Sequence, residues 1–174
     1  MKGLYRVKEV GTTTISSGPS VKGEPFLILL VEDNEDHAEL VRRSLAQNRV
    51  ANRIIWLDNG EKALKYLFRE EEYKDPEKSP VPGIILLDLR LPLVDGLEVL
   101  ARIKEDKLLR RIPVVILTSS SAETDIAKAY EFHANSYVVK PVDFLKFTQL
   151  MDDLGFYWLG WNEHPLGWTP PRST

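Results

Sequence analysis

The sequence predicts an α/β fold with a doubly wound parallel sheet, and three features of its apolar runs support this prediction. Five short apolar runs alternate with segments of helical periodicity, which is the pattern of repeated βαβ units. The runs within 26–31, 83–88 and 113–118 are almost uninterrupted by polar residues, as expected of strands buried on both faces. Four of the runs then stop on acidic, hydroxyl or amine side chains. Because the carboxyl ends of parallel strands form the ligand crevice of such a sheet, we expect these side chains to meet at one rim.

Strands and helices are predicted to alternate from residue 26 onward. The strands are placed at 26–31, 53–57, 83–88, 113–118 and 136–139, and the helices at about 35–47, 60–68, 96–105, 122–132 and 142–154. Asp95 with Glu98, and Ser120 with Glu123, have the spacing that starts a helix, and they are assigned to the third and fourth helices. The segment REEEYKDPEKSPVPG before the third strand is charged and carries three prolines, which predicts a solvated loop without regular structure.

Composition and patterning divide the chain into three regions. Residues 1–25, rich in Gly, Thr, Ser and Lys, predict a flexible N-terminal extension, 26–154 form the folded domain, and 155–174 form an aromatic-rich C-terminal tail. The formal net charge of -3 gives no global field that would recruit nucleic acid or an anionic membrane. The chain has no cysteine, which excludes disulfides and thiolate metal sites, and no apolar run approaches the roughly 20 residues that span a bilayer. A cytoplasmic location is expected.

One apolar stripe runs along the last predicted helix and into the tail. Its members recur at steps of three and four residues and are Phe144, Phe147, Met151, Leu154 and Trp158. This stripe, with Tyr157 and Trp161 beside it, exceeds what one helix needs to cover a sheet. The excess can fold back over the domain or form an interface, where Trp and Tyr are enriched. For the second alternative we expect a homodimer through the fourth helix, fifth strand and fifth helix, braced by the tail.

The residues at the strand ends suit phosphoryl chemistry on a carboxylate. Glu32 and Asp33 follow the first strand, Asp88 ends the third, Thr118 ends the fourth and Lys140 follows the fifth. Acidic side chains close together attract a hard divalent ion, and Mg2+ prefers oxygen ligands and bridges phosphate to few carboxylates. Three acids, a hydroxyl and an amine at one rim therefore predict a site for Mg2+ and a phosphorylated aspartate.

The motifs LILLVEDN, IILLDLRLPLVDGLEVL, VVILTSS and YVVKPVDF, in this order and spacing, resemble the receiver domain of two-component response regulators. The long loop before the third strand and the aromatic ending most resemble the single-domain regulators paired with cyanobacterial and bacterial phytochrome kinases. The resemblance implies a flavodoxin-like sheet with strand order 2-1-3-4-5. It also implies phosphorelay from a sensor histidine kinase, with the signal passed on by protein contact and without direct DNA binding. The protein would then catalyse only its own phosphorylation and dephosphorylation.

The resemblance also assigns roles to individual residues. Asp88 would be the phosphoacceptor, with Lys140 and Thr118 contacting the phosphoryl group. The implied Mg2+ ligands are Glu32, Asp33, Asp88 and the backbone carbonyl of Arg90. Thr118 and Tyr137 would be the switch pair, since the family has an aromatic residue at the position of Tyr137. The family's Lys-Pro step, usually a cis bond, falls at Lys140–Pro141.

Two residues depart from the pattern of chemotaxis-type receivers. Arg90, two positions after the predicted phosphoacceptor, is a long cation in place of an amide. Ser120, two positions after Thr118, is small and neutral in place of an acid. Since these positions influence the hydrolytic water in the family, we expect Arg90 to lie across the phosphoryl site and to lengthen the life of the phosphoprotein.

Other functions are left open by the residues alone. A haloacid-dehalogenase-type phosphatase also uses an aspartate after a parallel strand, but it normally has a second acid two residues later, where this chain has Arg90. A nucleotide-binding fold would need a glycine-rich loop after the first strand, and the sequence has none there. The third alternative is an inert, receiver-like interaction module.

Overall fold

The computed structural model describes residues 26–47 and 52–162. Five parallel strands form one sheet in the order β2-β1-β3-β4-β5, which confirms the predicted fold and strand order. The strands are β1 Phe26–Val31, β2 Asn52–Leu57, β3 Ile84–Leu87, β4 Val114–Thr118 and β5 Ser136–Val139. The helices are α1 Glu35–Ala46, α2 Gly60–Phe68, α3 Gly96–Glu105, α4 Glu123–Glu131 and α5 Phe144–Gly155. The predicted extension 1–25 and the last part of the tail, 163–174, lie outside the described residues.

Alternate residues of the central strands supply two separate cores, one on each face of the sheet. Leu29 and Ile85 belong to a cluster that α2, α3 and α4 cover, whereas Ile28 and Ile84 belong to a cluster that α1 and α5 cover. All four residues of β3 are buried. The uninterrupted apolar runs therefore arise because each central strand needs apolar side chains on both faces.

Most helix starts are fixed by a side chain that accepts a backbone hydrogen bond. Asn34, Asn59, Asp95 and Asp143 accept from the first turns of α1, α2, α3 and α5. The predicted start at Ser120 and Glu123 is wrong. The N-cap of α4 is Ala122, and the Ser120 hydroxyl donates instead to Asp125 at 2.5 Å.

The segment before β3 is more ordered than its composition predicts. Residues Glu71–Tyr73 form a 3-10 turn, and the Tyr73 ring packs edge-on against the buried Tyr66 at 5.4 Å between centroids. Ser79 is 2% exposed and donates to the Tyr73 carbonyl at 2.6 Å. Aromatic and hydroxyl contacts thus hold a highly charged segment to the domain, and the prediction that it has no regular structure is wrong. Its charged residues are mostly exposed, as predicted for a solvated loop.

The chain continues from α5 directly into a π-helical segment, Phe156–Trp161, and part of it folds back onto the domain. Trp158 and Leu159 are buried in the same core as Phe147 and Met151. Phe144, the first residue of the predicted stripe, is instead 62% exposed. The exposed aromatic residues of the segment are Phe156, Tyr157 and Trp161. In the part of the chain that the structure describes, no helix is long and apolar enough to cross a membrane.

Candidate functional site

Strand register brings the predicted site residues to one edge of the sheet. Val31 pairs with Leu87, so the residues that follow them, Glu32 and Asp88, lie side by side at the ends of β1 and β3. The Asp88 amide donates to the Val31 carbonyl at 3.0 Å, which continues the hydrogen-bond ladder up to the site. At the other side the Lys140 amide donates to the Thr118 carbonyl at 2.8 Å. Backbone hydrogen bonds therefore fix the positions of these groups.

Lys140 makes a buried ion triad with two of the acids. Its Nζ donates to Asp88 Oδ2 at 2.6 Å and to Glu32 Oε2. The Lys140 side chain is only 4% exposed and that of Asp88 only 6%. Two carboxylates share one ammonium group, so the cluster has an excess negative charge with little water to screen it.

The two carboxyl groups of the triad respond in opposite directions. Burial raises the pKa of Asp88, but the positive charge and hydrogen bond of Lys140, with hydrogen bonds from Thr118 and the Arg90 amide, outweigh burial, so the pKa of Asp88 lies below its usual value. Burial dominates at Glu32 and, with the nearby charge of Asp88, raises the pKa of Glu32 despite Lys140. The lowered pKa keeps the Asp88 carboxyl group ionised at neutral pH.

The acidic residues converge on a possible cation position. One carboxylate oxygen from each of Glu32, Asp33 and Asp88 lies within 4.8 Å of the others. Asp33 is exposed while the other two are buried, so the site has one open side. Three carboxylate oxygens and an excess of negative charge fit a hard divalent ion. The Arg90 backbone also lies at this site, since its amide donates to Asp88 Oδ1 at 3.1 Å.

The loop that follows Asp88 is held by close backbone contacts. A Cβ on Gly96 would lie 2.1 Å from the Asp88 carbonyl oxygen, and a Cβ on Gly60 would lie 2.0 Å from the Val94 carbonyl oxygen. Glycine at these two positions lets α3 and α2 pack directly on the backbone of the loop. Within the loop Leu93 has a positive φ of 68° and is 76% exposed.

A polar network connects this loop to α4 and β5. The Arg90 guanidinium donates to Asp125 Oδ2 at 2.5 Å, and the Ser120 hydroxyl donates to the same oxygen at 2.5 Å. The Tyr137 hydroxyl donates to the Ser120 carbonyl at 2.9 Å, and its ring packs against the core beneath α4. Asp125 could not be singled out from its place in the chain, because an acid in the first turn of a helix is ordinary.

Comparison with known proteins is consistent with this geometry. Residues 28–152 match the response regulator receiver domain. The chain belongs to this family.

Two relatives and two solved structures show how far the likeness extends. The probable methanogenesis regulatory protein FilR2 of Methanothrix harundinacea is 45% identical over 152 residues, covering 87% of this chain and 96% of FilR2. The response regulator Rcp1 of Synechocystis is 41% identical over 135 residues, covering 78% of this chain and 90% of Rcp1. The phosphorylated cyanobacterial phytochrome response regulator RcpA superposes with a TM-score of 0.78 at 38% identity, covering 82% of this chain and 99% of RcpA. Mn2+-bound Rcp1 superposes with a TM-score of 0.77 at 40% identity, covering 81% of this chain and 99% of the Rcp1 chain.

Membership of the receiver family confirms the predicted function class, a response regulator of two-component signalling related to phytochrome response regulators. It sets aside the phosphatase and nucleotide-binding alternatives. Receiver domains work with a sensor kinase and bind a divalent metal, and this receiver offers the acidic cluster for such an ion.

Three details of this receiver differ from expectation or were not foreseen. Among residues 26–47 and 52–162 no peptide bond is cis, so the Lys140–Pro141 bond, whose state the sequence left open, is trans. The Arg90 side chain is bound to Asp125, whereas the sequence predicted that it lies across the phosphoryl site. The His37 side chain is half exposed, and its Nδ1 lies 3.7 Å from Glu32 Oε1, beside the acidic cluster.

Proposed function

We propose that Asp88 accepts a phosphoryl group from a phosphohistidine of a sensor histidine kinase, with Mg2+ held by Glu32, Asp33, Asp88 and the Arg90 carbonyl. The observation that carries the proposal is the buried, ionised Asp88 carboxylate, which lies against the Lys140 ammonium at 2.6 Å and beside two further acids. A structural ion pair would need one acid for one lysine. The two additional acids are explained by a divalent ion.

In the proposed reaction an Asp88 carboxylate oxygen attacks phosphorus while the bond from phosphorus to the histidine nitrogen breaks. The electron pair of that bond stays on the imidazole, which then takes a proton from solvent. Lys140 neutralises charge on the phosphoryl oxygens, and the buried Thr118 hydroxyl donates a hydrogen bond to them. Bound Mg2+ would lower the repulsion between carboxylate and phosphoryl oxygens. Phosphoryl transfer needs mainly in-line positioning and charge neutralisation, which the rigid strand ends supply.

Exposed apolar residues around the site support recognition by protein contact. Val142 and Leu145 follow Lys140 and are 104% and 75% exposed, and Leu93, beyond Asp88, is 76% exposed. A kinase domain that presents its histidine to Asp88 would cover these side chains. Because the chain is similar to RcpA and Rcp1, kinases of the phytochrome type are the first donors to test.

Self-association through α4, β5 and α5 is also part of the proposal. Tyr130 on α4, Val139 at the end of β5 and Phe144 on α5 are 52%, 40% and 62% exposed. Large apolar side chains that the domain leaves uncovered on three adjacent elements are typical of an interface. Such a contact would adjoin Tyr137 and Lys140, so the phosphoryl group could influence it.

Labelling with a small phosphodonor tests the phosphoacceptor. The protein is incubated with Mg2+ and acetyl phosphate, and its intact mass is measured. The wild-type protein is expected to gain one phosphoryl group, and Asp88→Asn is expected to gain none. Asp58→Asn is the matched control, since Asp58 also follows a strand at this edge but pairs with Lys62. Undiminished labelling of the Asp88→Asn variant contradicts the proposal, and no labelling of the wild-type protein supports the inert module.

Transfer from a kinase tests the donor. A phytochrome histidine kinase that has been autophosphorylated with radiolabelled ATP is mixed with the wild-type protein or with Asp88→Asn. We expect label to move to the wild-type protein alone, and to require Mg2+. Chelation by EDTA should abolish transfer.

A further inference from the structure

We propose that Asp125 is a positioning residue that competes with the phosphoryl group on Asp88 for the Arg90 guanidinium. The inference rests on the proposed phosphorylation of Asp88. It concerns a salt bridge between the loop after β3 and the first turn of α4, at a distance of 2.5 Å.

The two partners of this salt bridge differ in burial. The Asp125 side chain is 13% exposed and is bound by the Ser120 hydroxyl as well as by Arg90. The Arg90 side chain is 60% exposed, while its own backbone amide is bound to Asp88 Oδ1. A solvent-exposed cation is thus attached next to Asp88 through its own backbone and bound to a largely buried anion on another element.

Phosphorylation adds a second and stronger anion within reach of the same cation. A phosphoryl group has about -1.5 to -2 charges, more than the single charge of a carboxylate, and it has three acceptor oxygens. Arg90 is suited to both partners, because a guanidinium binds carboxylates and phosphates in similar bidentate geometry. The free energy of the salt bridge to Asp125 therefore opposes movement of the Arg90 guanidinium to the phosphoryl group.

The competition has a consequence at β5. Asp125 binds the Ser120 hydroxyl, and the Ser120 carbonyl accepts from Tyr137. When Arg90 leaves, the Asp125 carboxylate loses a hydrogen-bond donor and the positive charge that balances it. Asp125 binds Ser120 and belongs to the first turn of α4, so both are affected by this loss. The same residue therefore connects the charge on Asp88 to the elements next to Tyr137.

A double-mutant cycle on phosphoryl decay tests this inference. Wild-type protein, Arg90→Met, Asp125→Asn and the double variant are labelled with acetyl phosphate and Mg2+, desalted, and followed by intact mass. Methionine removes the cation and leaves the Arg90 carbonyl in place, and asparagine keeps the shape of Asp125 and its bond to Ser120. Asp125→Asn should slow decay about threefold, because Arg90 is then freer to cover the phosphoryl group, which corresponds to the free energy of a typical exposed ion pair. In the Arg90→Met background the same change should have no effect.

The matched control is Glu123→Gln, which removes an exposed acid from the same turn of α4. It changes the charge of the turn equally and should leave the decay rate unchanged. If Asp125→Asn alters decay by the same factor with Arg90 present or absent, Asp125 acts only on α4 and the inference is wrong. If the wild-type protein takes no label, the proposed function fails and this inference with it, whereas normal labelling with additive effects overturns the inference alone.

Discussion

At the scale of single residues, the loop that follows Asp88 contains a residue with a strained backbone. Leu93 has a φ of 68°, in the left-handed region that residues with a Cβ rarely adopt, and it is 76% exposed. Leucine in this conformation costs about 1–2 kcal/mol. The side chain buries little surface in return, so packing within the domain does not account for it. Contact with a partner protein that covers Leu93 would account for a leucine at this position.

Replacing Leu93 should therefore stabilise the free protein. Leu93→Asn, which tolerates the left-handed conformation, is expected to raise the free energy of unfolding by about 0.5–1 kcal/mol. Urea denaturation measures this change. Leu108→Asn is the control, since Leu108 is also exposed, at 47%, but has a φ of -94°. A loss of stability in Leu93→Asn would show that the leucine side chain makes a net favourable contribution where it is.

The sequence predicted which side chains meet at this edge of the sheet, but not all of their partners. Asp88, Thr118 and Lys140 could be located because each ends an apolar run, and strand ends of a parallel sheet meet at one edge. Asp125 could not, since its role depends on which way the Arg90 side chain turns. That orientation is decided by distances between two loops, and no periodicity in the sequence records them.

At the scale of secondary-structure elements, the C-terminal part of α3 is tied to the start of β4 by Lys104. Its Nζ donates to the carbonyls of Ile112 at 2.9 Å and Arg110 at 3.3 Å, and to Asn135 Oδ1 at 3.0 Å. Burial lowers the pKa of Lys104 to about 8. One side chain thus satisfies acceptors on two loops at the end of the sheet opposite the site.

Lys104→Met should destabilise the protein by about 2 kcal/mol, because the partly buried acceptors lose their donor. Lys107→Met, at an exposed position on the same segment, should change stability little. Equilibrium urea unfolding of both variants at neutral pH gives these values. A Lys104→Met variant as stable as the wild-type protein would mean that water replaces the ammonium group without cost.

The contribution of Lys104 should also depend on pH. Its folded-state pKa of about 8 is below the unfolded value of 10.5, so between these pH values the unfolded chain binds more protons. The stability that Lys104 contributes therefore rises as pH increases through this window. The difference in free energy of unfolding between wild-type protein and Lys104→Met should be larger at pH 9.5 than at pH 7.5. A smaller difference at the higher pH would show that the three hydrogen bonds favour the ammonium form more than burial opposes it.

Helix and strand bounds were predicted well where a local signal exists. The Asp95 cap and the apolar runs are such signals. The start of α4 was wrong because Ser120 has two possible partners, and the Asp125 carboxylate, a charged acceptor, wins over the backbone of the helix. The order of the segment before β3 was not predicted, because it depends on the contacts of Tyr73 with Tyr66 and Ser79. No periodic pattern in the sequence connects these three residues.

At the scale of the whole molecule, the aromatic surplus at the C-terminus is divided between two roles. Trp158 and Leu159 complete the core under α1 and α5, which supports the fold-back alternative for these residues. Phe156, Tyr157 and Trp161 remain exposed, with Phe156 and Trp161 edge to face at 5.9 Å. These exposed rings lie about 18 Å along α5 from its N-terminal end, where the β5–α5 residues are exposed. The sequence could predict the stripe, but which members cover the core depends on where α5 crosses the sheet.

The proposed homodimer is best tested with residues that the domain does not need for folding. Phe147 and Trp158 are 3% and 9% exposed, so their replacement would test the core. Tyr130→Ser with Phe144→Glu changes two exposed residues of the proposed face, and an acid at the start of α5 also suits the helix dipole. Leu108→Glu, in the loop after α3, is the control for adding charge to an exposed apolar position.

We expect the wild-type protein to sediment as a dimer at micromolar concentration, and more completely when beryllofluoride and Mg2+ occupy the site, since the contact adjoins Lys140 and Tyr137. The Tyr130→Ser and Phe144→Glu changes together should raise the dissociation constant about tenfold or more, because these exposed side chains would otherwise be buried against the second copy. Leu108→Glu should have no effect. If instead the Tyr157→Ser and Trp161→Ser changes dissociate the dimer and the other variants do not, the interface lies on the C-terminal aromatic residues. A wild-type protein that is monomeric with and without beryllofluoride would leave the exposed rim around Lys140 to the kinase.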